Sequence, residues 1–103
     1  MNRKEQLLQM LEEDPKDVFL HYALGMEFLG EMKYQEALEK FQYCIELDET
    51  YVGAYYQLAI IFTELDIVDV AKKYIEKGMY FATQKNDRKA VGELRQLLDN
   101  LDD

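Results

Sequence analysis

Apolar residues recur along the chain with helical spacing, and the whole pattern returns after 34 residues. When residues 18–51 are aligned with residues 52–85 at this offset, five positions carry identical residues and five more carry residues of similar size. The identical pairs are Val18 with Val52, Tyr22 with Tyr56, Leu24 with Leu58, Phe28 with Phe62, and Ala37 with Ala71. The similar pairs are His21 with Tyr55, Gly25 with Ala59, Phe41 with Ile75, Cys44 with Gly78, and Leu47 with Phe81. Ten matches at one offset indicate an internal repeat rather than chance.

Each repeat is predicted to form two helices that fold back on one another. One side of the first helix carries Leu24, Gly25 and Phe28, and one side of the second carries Phe41 and Ile45. Small residues fall where two helices would cross closely, and larger ones fill the space between them. These small residues are Gly25, Ala37, Cys44, Ala59, Ala71 and Gly78. Because one hairpin cannot bury its apolar side alone, neighbouring hairpins are expected to stack.

The sequence predicts six helices, whose ends are placed by turn and capping residues. The predicted ranges are 3–13, 16–30, 33–47, 50–64, 67–82 and 87–101. Asp14 is predicted to cap the second helix with Pro15 in its first position, and Gly30 to end that helix in a left-handed turn. Asp66 and Asp69 are predicted to place acidic side chains in the first turn of the fifth helix.

Both ends of the chain depart from the full repeat. Residues 3–15 match only the second helix of a repeat, through Leu7, Met10, Leu11, Asp14 and Pro15. After residue 85 the register fails, because positions that need small or bulky apolar groups hold Lys89, Gly92, Glu93 and Gln96. An amphipathic stripe with Asp87 as its predicted N-cap follows instead: Val91, Leu94, Leu97, Leu98 and Leu101. We predict a single domain over 1–103, with a half-repeat helix at 3–15, repeats at 18–51 and 52–85, and a capping helix at 86–103.

The repeat resembles the tetratricopeptide repeat, whose pattern is aromatic-x2-Leu-Gly-x2-aromatic, then Ala-x3-Phe, then Pro. The first unit matches through His21 at the large aromatic position, Leu24, Gly25, Phe28, Ala37 and Phe41, with Glu49 in place of the proline. The second matches through Tyr55, Leu58, Ala59, Phe62, Ala71 and Ile75, and residues 83–86 are interpreted as a lengthened connection. The resemblance implies an all-α fold of stacked antiparallel helical hairpins, an α-solenoid, with the C-terminal helix as its cap.

The first helix of each repeat carries more apolar surface than one buried stripe requires. Glu27 is the only charged residue between Val18 and Gly30. A second stripe, beyond the core positions, contains Phe19, Tyr22, Met26 and Leu29 and continues in the next repeat. Without Leu29, and with the residues of the next repeat, it comprises six residues: Phe19, Tyr22, Met26, Tyr56, Gln57 and Ile60. In the family that the chain resembles, these positions face a concave groove that holds a peptide, and Tyr and Met suit such adaptable surfaces. These six residues are therefore the predicted partner-binding set, with ordinary core covered by neighbouring helices as the alternative.

The predicted function is that of a non-catalytic adaptor or scaffold that binds another protein or a peptide, with self-association through the same surface as the alternative. One subtype of the resembled family grips the C-terminal carboxylate of chaperones through Lys and Asn at fixed positions. Those positions here hold Tyr22, Met26, Gln57, Asp87 and Val91. Because no cationic clamp can form from these residues, the predicted partner offers an apolar or aromatic anchor rather than a chaperone tail.

Charge narrows the classes of partner. The 12 Lys and Arg residues against 21 Asp and Glu give a formal charge of -9, which repels phosphate backbones and anionic lipid. Nucleic acid and membranes are therefore not predicted as partners. Half of the basic residues lie within one short window: Lys72, Lys73, Lys77, Lys85, Arg88 and Lys89. A solvated helix face is the predicted role of this window, and a local docking face is the alternative.

No catalytic, cofactor or metal site is predicted. The single cysteine, Cys44, cannot form an intramolecular disulfide or a cysteine cluster for zinc. Its alternative role, a nucleophile with His21 as its base, lacks an orienting or oxyanion group. The longest charge-free stretch, 50–63, is too short to span a bilayer, and the first residues lack an apolar signal segment. The predicted location is cytoplasmic.

Overall fold

In a computed structural model of the chain, residues 1–102 are described and contain six α-helices. They are α1 (Arg3–Glu13), α2 (Val18–Gly30), α3 (Tyr34–Leu47), α4 (Val52–Glu64), α5 (Val68–Gln84) and α6 (Arg88–Leu101). These residues include no β-strand, which confirms the predicted all-α fold of helical hairpins. Asp103, the last residue of the predicted capping segment, lies outside the described residues. The helices fall into two compact units, one over Met1–Glu49 with α1 to α3, and one from Thr50 onward with α4 to α6.

Every helix boundary lies within two residues of its predicted position, but the cap predicted for α2 is wrong. Asp17 caps this helix, because its side chain accepts a hydrogen bond from the Leu20 amide at 3.1 Å. Asp14 instead ends α1, where its own amide donates to the Met10 carbonyl at 3.0 Å. Pro15 therefore lies in the turn between the helices and not in the first turn of α2.

The left-handed turn predicted at Gly30 is also displaced. Gly30 is the last helical residue of α2, and Met32 adopts the left-handed conformation with φ of 60°. Asp66 and Asn86 do the same in two other turns, with φ of 60° and 58°. Each turn closes with an amide that donates to the carbonyl five residues earlier: Lys33 to Phe28, Ile67 to Phe62, and Asp87 to Ala82. Asp66 thus belongs to a turn, whereas Asp69 lies in the first turn of α5 as predicted.

The small residues of the repeat lie where helices approach one another. A methyl group built on Gly25 would lie 2.7 Å from Cε1 of Phe41. Helices α2 and α3 can therefore cross this closely only because residue 25 has no side chain. At Gly78, a methyl group would lie 3.0 Å from Cδ1 of Leu94 and 3.0 Å from Cβ of Tyr55. Ala37 and Ala71, 34 residues apart, are both fully buried.

One buried cluster of the first unit lies between α1 and α2. Its buried residues are Leu7, Leu11, Leu20, Ala23 and Leu24, with Phe28 packed against them. Lys4 bridges the two helices, since its ammonium group is 2.9 Å from Glu31 Oε1 and 5.2 Å from the centre of the Phe28 ring. Helix α1 thus buries one side of α2.

The core of the second unit is closed by α6. Ala59, Ile75 and Leu94 are its buried centre. Partly buried residues pack around them: Val52, Tyr56, Tyr74, Met79, Leu97, Leu98 and Leu101. Three residues of the stripe predicted for a capping helix, Leu97, Leu98 and Leu101, are in this second group. The stripe therefore covers the apolar side of the α4–α5 hairpin.

The 34-residue register fails at α6, but a fully buried leucine recurs there with an offset of two residues. Leu24, Leu58 and Leu94 are all fully buried, and each lies six residues after the start of its helix. The offset arises because α5 is three residues longer than α3, with 17 residues against 14, while the connection after it is one residue shorter, with three residues against four. The lengthened connection predicted at 83–86 is thus largely a longer helix, followed by a three-residue turn.

Candidate functional site

The exposed side of α2 is a continuous uncharged surface. Phe19 and Met26, seven residues apart on one face, have 59% and 37% of their surface exposed. Tyr22 lies between them on the same face and is partly buried. The only charged residue of α2, Glu27, pairs with Arg3 of α1, its Oε2 3.6 Å from Arg3 Nε. Three of the six predicted binding residues therefore share one face of one helix.

Tyr22 also belongs to the packing of the first unit. Its ring centre is 5.5 Å from that of the fully buried Phe41, with the two planes tilted by 59°. Aromatic pairs at this separation contribute to stability beyond the area they bury. Removal of the Tyr22 ring would therefore disturb the α2–α3 hairpin as well as the surface.

The predicted binding residues of α4 are less exposed than those of α2. Tyr56 packs against the buried cluster of Ala59, Ile75 and Leu94, so part of its ring is covered by the second unit's own core. Gln57 and Ile60 are partly buried. A depression of about 170 Å³ is lined by Ile60, Thr63, Glu64, Leu97, Asn100 and Leu101. Its floor is apolar, and its polar rim comes from the ends of α4 and α6.

His21 and Cys44 both contact neighbouring residues of the first unit. His21 is buried, and its Nε2 donates to the Pro15 carbonyl at 2.8 Å while its ring meets Tyr43 edge-on. The Cys44 thiol donates to the Val18 carbonyl at 3.6 Å, and burial raises the pKa of this thiol to about 12. A nucleophilic cysteine needs a lowered pKa, so this environment opposes catalysis. No residue pattern indicates that the Pro15 carbonyl is the polar partner of a histidine at an aromatic position.

Within residues 1–102, no group of three His, Cys, Asp or Glu side chains is placed to hold a metal ion. None of the helices in this part of the chain combines the length and apolar character needed to cross a bilayer. The cytoplasmic location stays a prediction.

Two of the six clustered basic residues are engaged within the second unit. Lys72 Nζ lies 2.8 Å from Asp102 Oδ1, and hydrogen bonding to that carboxylate raises the pKa of Lys72. Lys85 donates to the carbonyl of Thr50 at 2.6 Å. The other four, Lys73, Lys77, Arg88 and Lys89, are exposed.

The offset of α6 changes two of the positions considered for a carboxylate clamp. Asp87 caps α6 by accepting from the Ala90 amide at 3.0 Å, as predicted, and so lies outside the helix. With the offset of two residues, the α6 positions are held by Lys89 and Glu93 instead of Asp87 and Val91. One lysine beside a glutamate does not make a clamp of several cations, and the absence of chaperone-tail recognition stays a prediction.

Comparisons with known proteins place the chain among repeat proteins of known structure. No family model matches it, and no curated protein sequence matches it. A crystal structure of a tetratricopeptide repeat domain protein from Salinibacter ruber is 31% identical, covers 84% of this chain and 96% of its own, and has a TM-score of 0.79. A solution structure of that domain is 32% identical over 84% of this chain and 88% of its own, also with a TM-score of 0.79.

Two further solved structures share the fold at lower identity. A protein from Bordetella parapertussis is 24% identical over 98% of this chain and 88% of its own, with a TM-score of 0.85. The TPR2B domain of yeast Sti1, in a complex with pHsp70, is 18% identical over 96% of this chain and 79% of its own, with a TM-score of 0.89.

Proposed function

The chain belongs to the tetratricopeptide repeat family, and on that premise we propose that it binds a protein or peptide partner through the apolar face of α2. Protein interaction is the general role supported by the repeat neighbours, including a domain solved with a bound partner. The proposal adds the surface, Phe19, Tyr22 and Met26 on α2. Tyr56, Gln57 and Ile60 on α4 stay a predicted binding set of the second unit.

The main support for the proposal is that the exposed face of α2 carries no charged side chain. A surface helix of a globular protein normally presents charged or polar residues to water. Here the exposed face presents Phe19 and Met26, and the single charge on the helix is paired elsewhere with Arg3. Covering such side chains gains roughly 25 cal/mol for each Å² of apolar surface removed from water. An aromatic ring and a flexible thioether are typical anchors of interfaces.

The chemistry of the partner follows from the same face. The Sti1 domain shares the fold alone with this chain, so its partner is not carried over. Since the α2 face offers no cation to a terminal carboxylate, the partner should supply an apolar or aromatic side chain, either from an extended peptide or from an amphipathic helix. An enzymatic role is not proposed, and exclusion of nucleic acid and membranes stays a prediction.

The test uses the two residues whose removal leaves the core intact. Partners are captured from native lysate by wild-type protein and by the F19A/M26A variant, and the strongest specific partner is then titrated by calorimetry. Loss of two interface anchors should weaken binding by about 2 kcal/mol or more, roughly thirtyfold. L65A, which trims another exposed apolar residue, is the matched control and should bind like the wild type.

Self-association through the same face is the competing outcome. Light scattering across a concentration series would show a mass that rises with concentration and returns to monomer in F19A/M26A. If F19A/M26A binds its partner as the wild type does and has the same mass, the α2 face is not the binding surface.

A further inference from the structure

His21 joins three elements of the first unit. It lies in the first turn of α2 and has only 7% of its surface exposed. Its Nε2 donates to the carbonyl of Pro15, in the turn after α1, at 2.8 Å. Its ring meets the ring of Tyr43 on α3 edge-on, with ring centres 4.7 Å apart. A change in the state of this ring therefore acts on the turn, on α2 and on α3 together.

The hydrogen bond to Pro15 determines which nitrogen of the neutral ring carries the proton. A carbonyl oxygen can only accept, so the proton is on Nε2. Nδ1 is then a bare acceptor, and it is buried with no hydrogen-bond partner among residues 1–102. A buried acceptor without a partner costs less than a buried charge without one. The neutral ring is therefore the form that fits this site.

Protonation would change the chemistry of Nδ1. Both nitrogens of an imidazolium ring are donors, so Nδ1 would hold a hydrogen that has no acceptor in the folded unit. The ring would also carry a positive charge in a buried position. Both changes are strongly unfavourable, and both are relieved when water reaches Nδ1. Since Nδ1 is buried, this requires the ring to leave its contact with Pro15 or with Tyr43.

The ionisable groups at the first turn of α2 do not favour a positive charge there. The carboxylate of Asp17 is engaged with the Leu20 amide. The Cys44 thiol, which donates to the Val18 carbonyl in this turn, is held neutral because burial raises its pKa to about 12. Lys40 acts electrostatically on Cys44 from the same helix, α3, and a cation opposes a second positive charge.

Other charged groups near the site lie farther along the chain. Asp48 ends α3 and is partly buried, so its carboxylate works in favour of a positive charge. The charged residues at the end of α1 and in the turn after it are exposed and screened by solvent: Glu12, Glu13, Asp14 and Lys16. We therefore expect part, not all, of the effect of a histidine that never takes up a proton in the folded state.

The second unit has a tyrosine at the matching position of its repeat. Tyr55 is 2% exposed, and its ring centre lies 5.7 Å from that of Phe81 and 6.3 Å from that of Tyr74. A phenol does not titrate between pH 5 and 8, since its ordinary pKa is about 10. Both repeats thus bury a ring at this point, but only the ring of the first can take up a proton in mild acid.

We propose that His21 makes the first unit sensitive to acid. Uptake of one proton at Nδ1 expels the ring from its site between Pro15 and Tyr43 and opens the α2–α3 hairpin, whereas the second unit, with Tyr55 at the matching position, keeps its helices. This device is independent of the proposed function, since it acts on the folding of α2 and α3 and needs no partner.

Acid should lower the stability of the first unit. A histidine in contact with water has a pKa of about 6.5, so the unfolded chain binds a proton at residue 21 below this pH. The folded unit does not, so unfolding takes up a proton, and the free energy of unfolding falls as the pH decreases below about 6.5. The full effect is a rise of about thirtyfold in the unfolding equilibrium constant between pH 7.5 and 5.0. Because Asp48 opposes it, we expect at least about fivefold.

Native-state hydrogen exchange of the full chain at pH 7.5 and 5.0 tests the proposal, with each rate corrected for the intrinsic effect of pH. His21→Gln keeps an N–H for the Pro15 carbonyl and does not titrate, and His21→Tyr introduces the residue of the second repeat. Between pH 7.5 and 5.0, the opening constant of protected amides in α2 and α3 should rise at least about fivefold more in the wild type than in either variant. Amides of α4 and α5 should respond alike in all three proteins.

The variants also serve as controls for the carboxylates, since the 21 Asp and Glu residues are the same in all three proteins. Circular dichroism at pH 7.5 checks that each variant folds, and one folded variant is enough for the comparison. An equal pH response of α2 and α3 in the wild type and a folded variant overturns the proposal.

An NMR titration of the wild type gives a second test that needs no variant. His21 is the only histidine of the chain, so the imidazole signals report on this site alone. Protonation of the ring should coincide with loss of amide protection in α2 and α3. A ring that becomes protonated while those amides stay protected overturns the proposal.

Discussion

Gly25→Ala adds a single methyl group at the point where α2 crosses α3. Away from any clash, alanine is favoured over glycine in a helix interior by about 1 kcal/mol. At this position the new carbon would lie 2.7 Å from Cε1, 2.9 Å from Cζ and 3.0 Å from Cδ1 of Phe41. Phe41 is fully buried and packed against the Tyr22 ring, so it cannot turn away without disturbing a second aromatic side chain.

Forcing an extra methyl into such packing costs about 1 to 3 kcal/mol. Set against the gain in helix propensity, the net effect of Gly25→Ala should be a loss of about 1 kcal/mol in the free energy of unfolding. Gly92→Ala is the matched control, because it makes the same change inside α6, where nothing lies within 4 Å of the new carbon. That variant should be more stable than the wild type by about 0.5 to 1 kcal/mol.

Urea unfolding followed by circular dichroism measures both free energies. The two variants should differ by about 2 kcal/mol, although they make the same substitution in two helix interiors. If Gly25→Ala proves as stable as Gly92→Ala, the close crossing of α2 and α3 is not what holds glycine at this position.

Two further predictions concern a turn and the buried thiol. Met32→Asn should raise the free energy of unfolding by about 0.5 to 1 kcal/mol, because asparagine tolerates the left-handed conformation that Met32 adopts with φ of 60°. Urea unfolding measures this change. A loss of stability would contradict the strain inferred at residue 32. Cys44 should resist a disulfide-exchange reagent at pH 8 in the native protein and react rapidly in urea, since burial raises the pKa of its thiol to about 12; rapid native labelling would contradict its burial. The pKa of the Cys44 thiol is raised above the value of 9.0 for an unperturbed thiol. The contribution of Cys44 to the free energy of unfolding is therefore present below pH 9 and is lost as the pH rises toward 12. The free energy of unfolding of Cys44→Ala should fall less steeply over this pH range.

The repeat was predictable from sequence because the same spacing of small and large apolar residues, which lets two helices pack closely, occurs twice at a fixed period. Leu24 and Leu58 are both fully buried, and so are Ala37 and Ala71. Errors arose where two candidates of the same chemistry lay close together. Asp14 and Asp17 are both good caps that flank a proline, and only the hydrogen bond from the Leu20 amide identifies the second.

Turn geometry was less predictable, because hydrogen bonds outside the local residue preference set it. The amide of Lys33 reaches the carbonyl of Phe28 only when the intervening residue Met32 is left-handed, so glycine two positions earlier has no special role. Likewise, the offset at α6 depends on the extra length of α5, and no residue in the 83–86 segment indicates that the helix is longer.

The candidate site was predictable as a helix face but not as a set of exposed groups. Spacing alone placed Phe19, Tyr22 and Met26 together. It could not show that Tyr22 contacts Phe41 or that Tyr56 packs on the core of the second unit. Replacing both tyrosines by alanine should therefore lower stability as well as binding. Phe19 and Met26 are the better probes because their exposure separates the two effects.

The two-residue offset of α6 bears on how this protein could be extended by design. Seven residues after each helix start stand Gly25 in α2, Ala59 in α4 and Arg95 in α6. The first two offer a hydrogen atom or a methyl group to the helix that crosses them, whereas the third offers a guanidinium group on a long side chain. A repeat grafted behind α6 would be held off by that group, so a fusion that continues the stack should begin by changing Arg95 to glycine or alanine. Arg95 is therefore the first residue to change before a further repeat is added after α6.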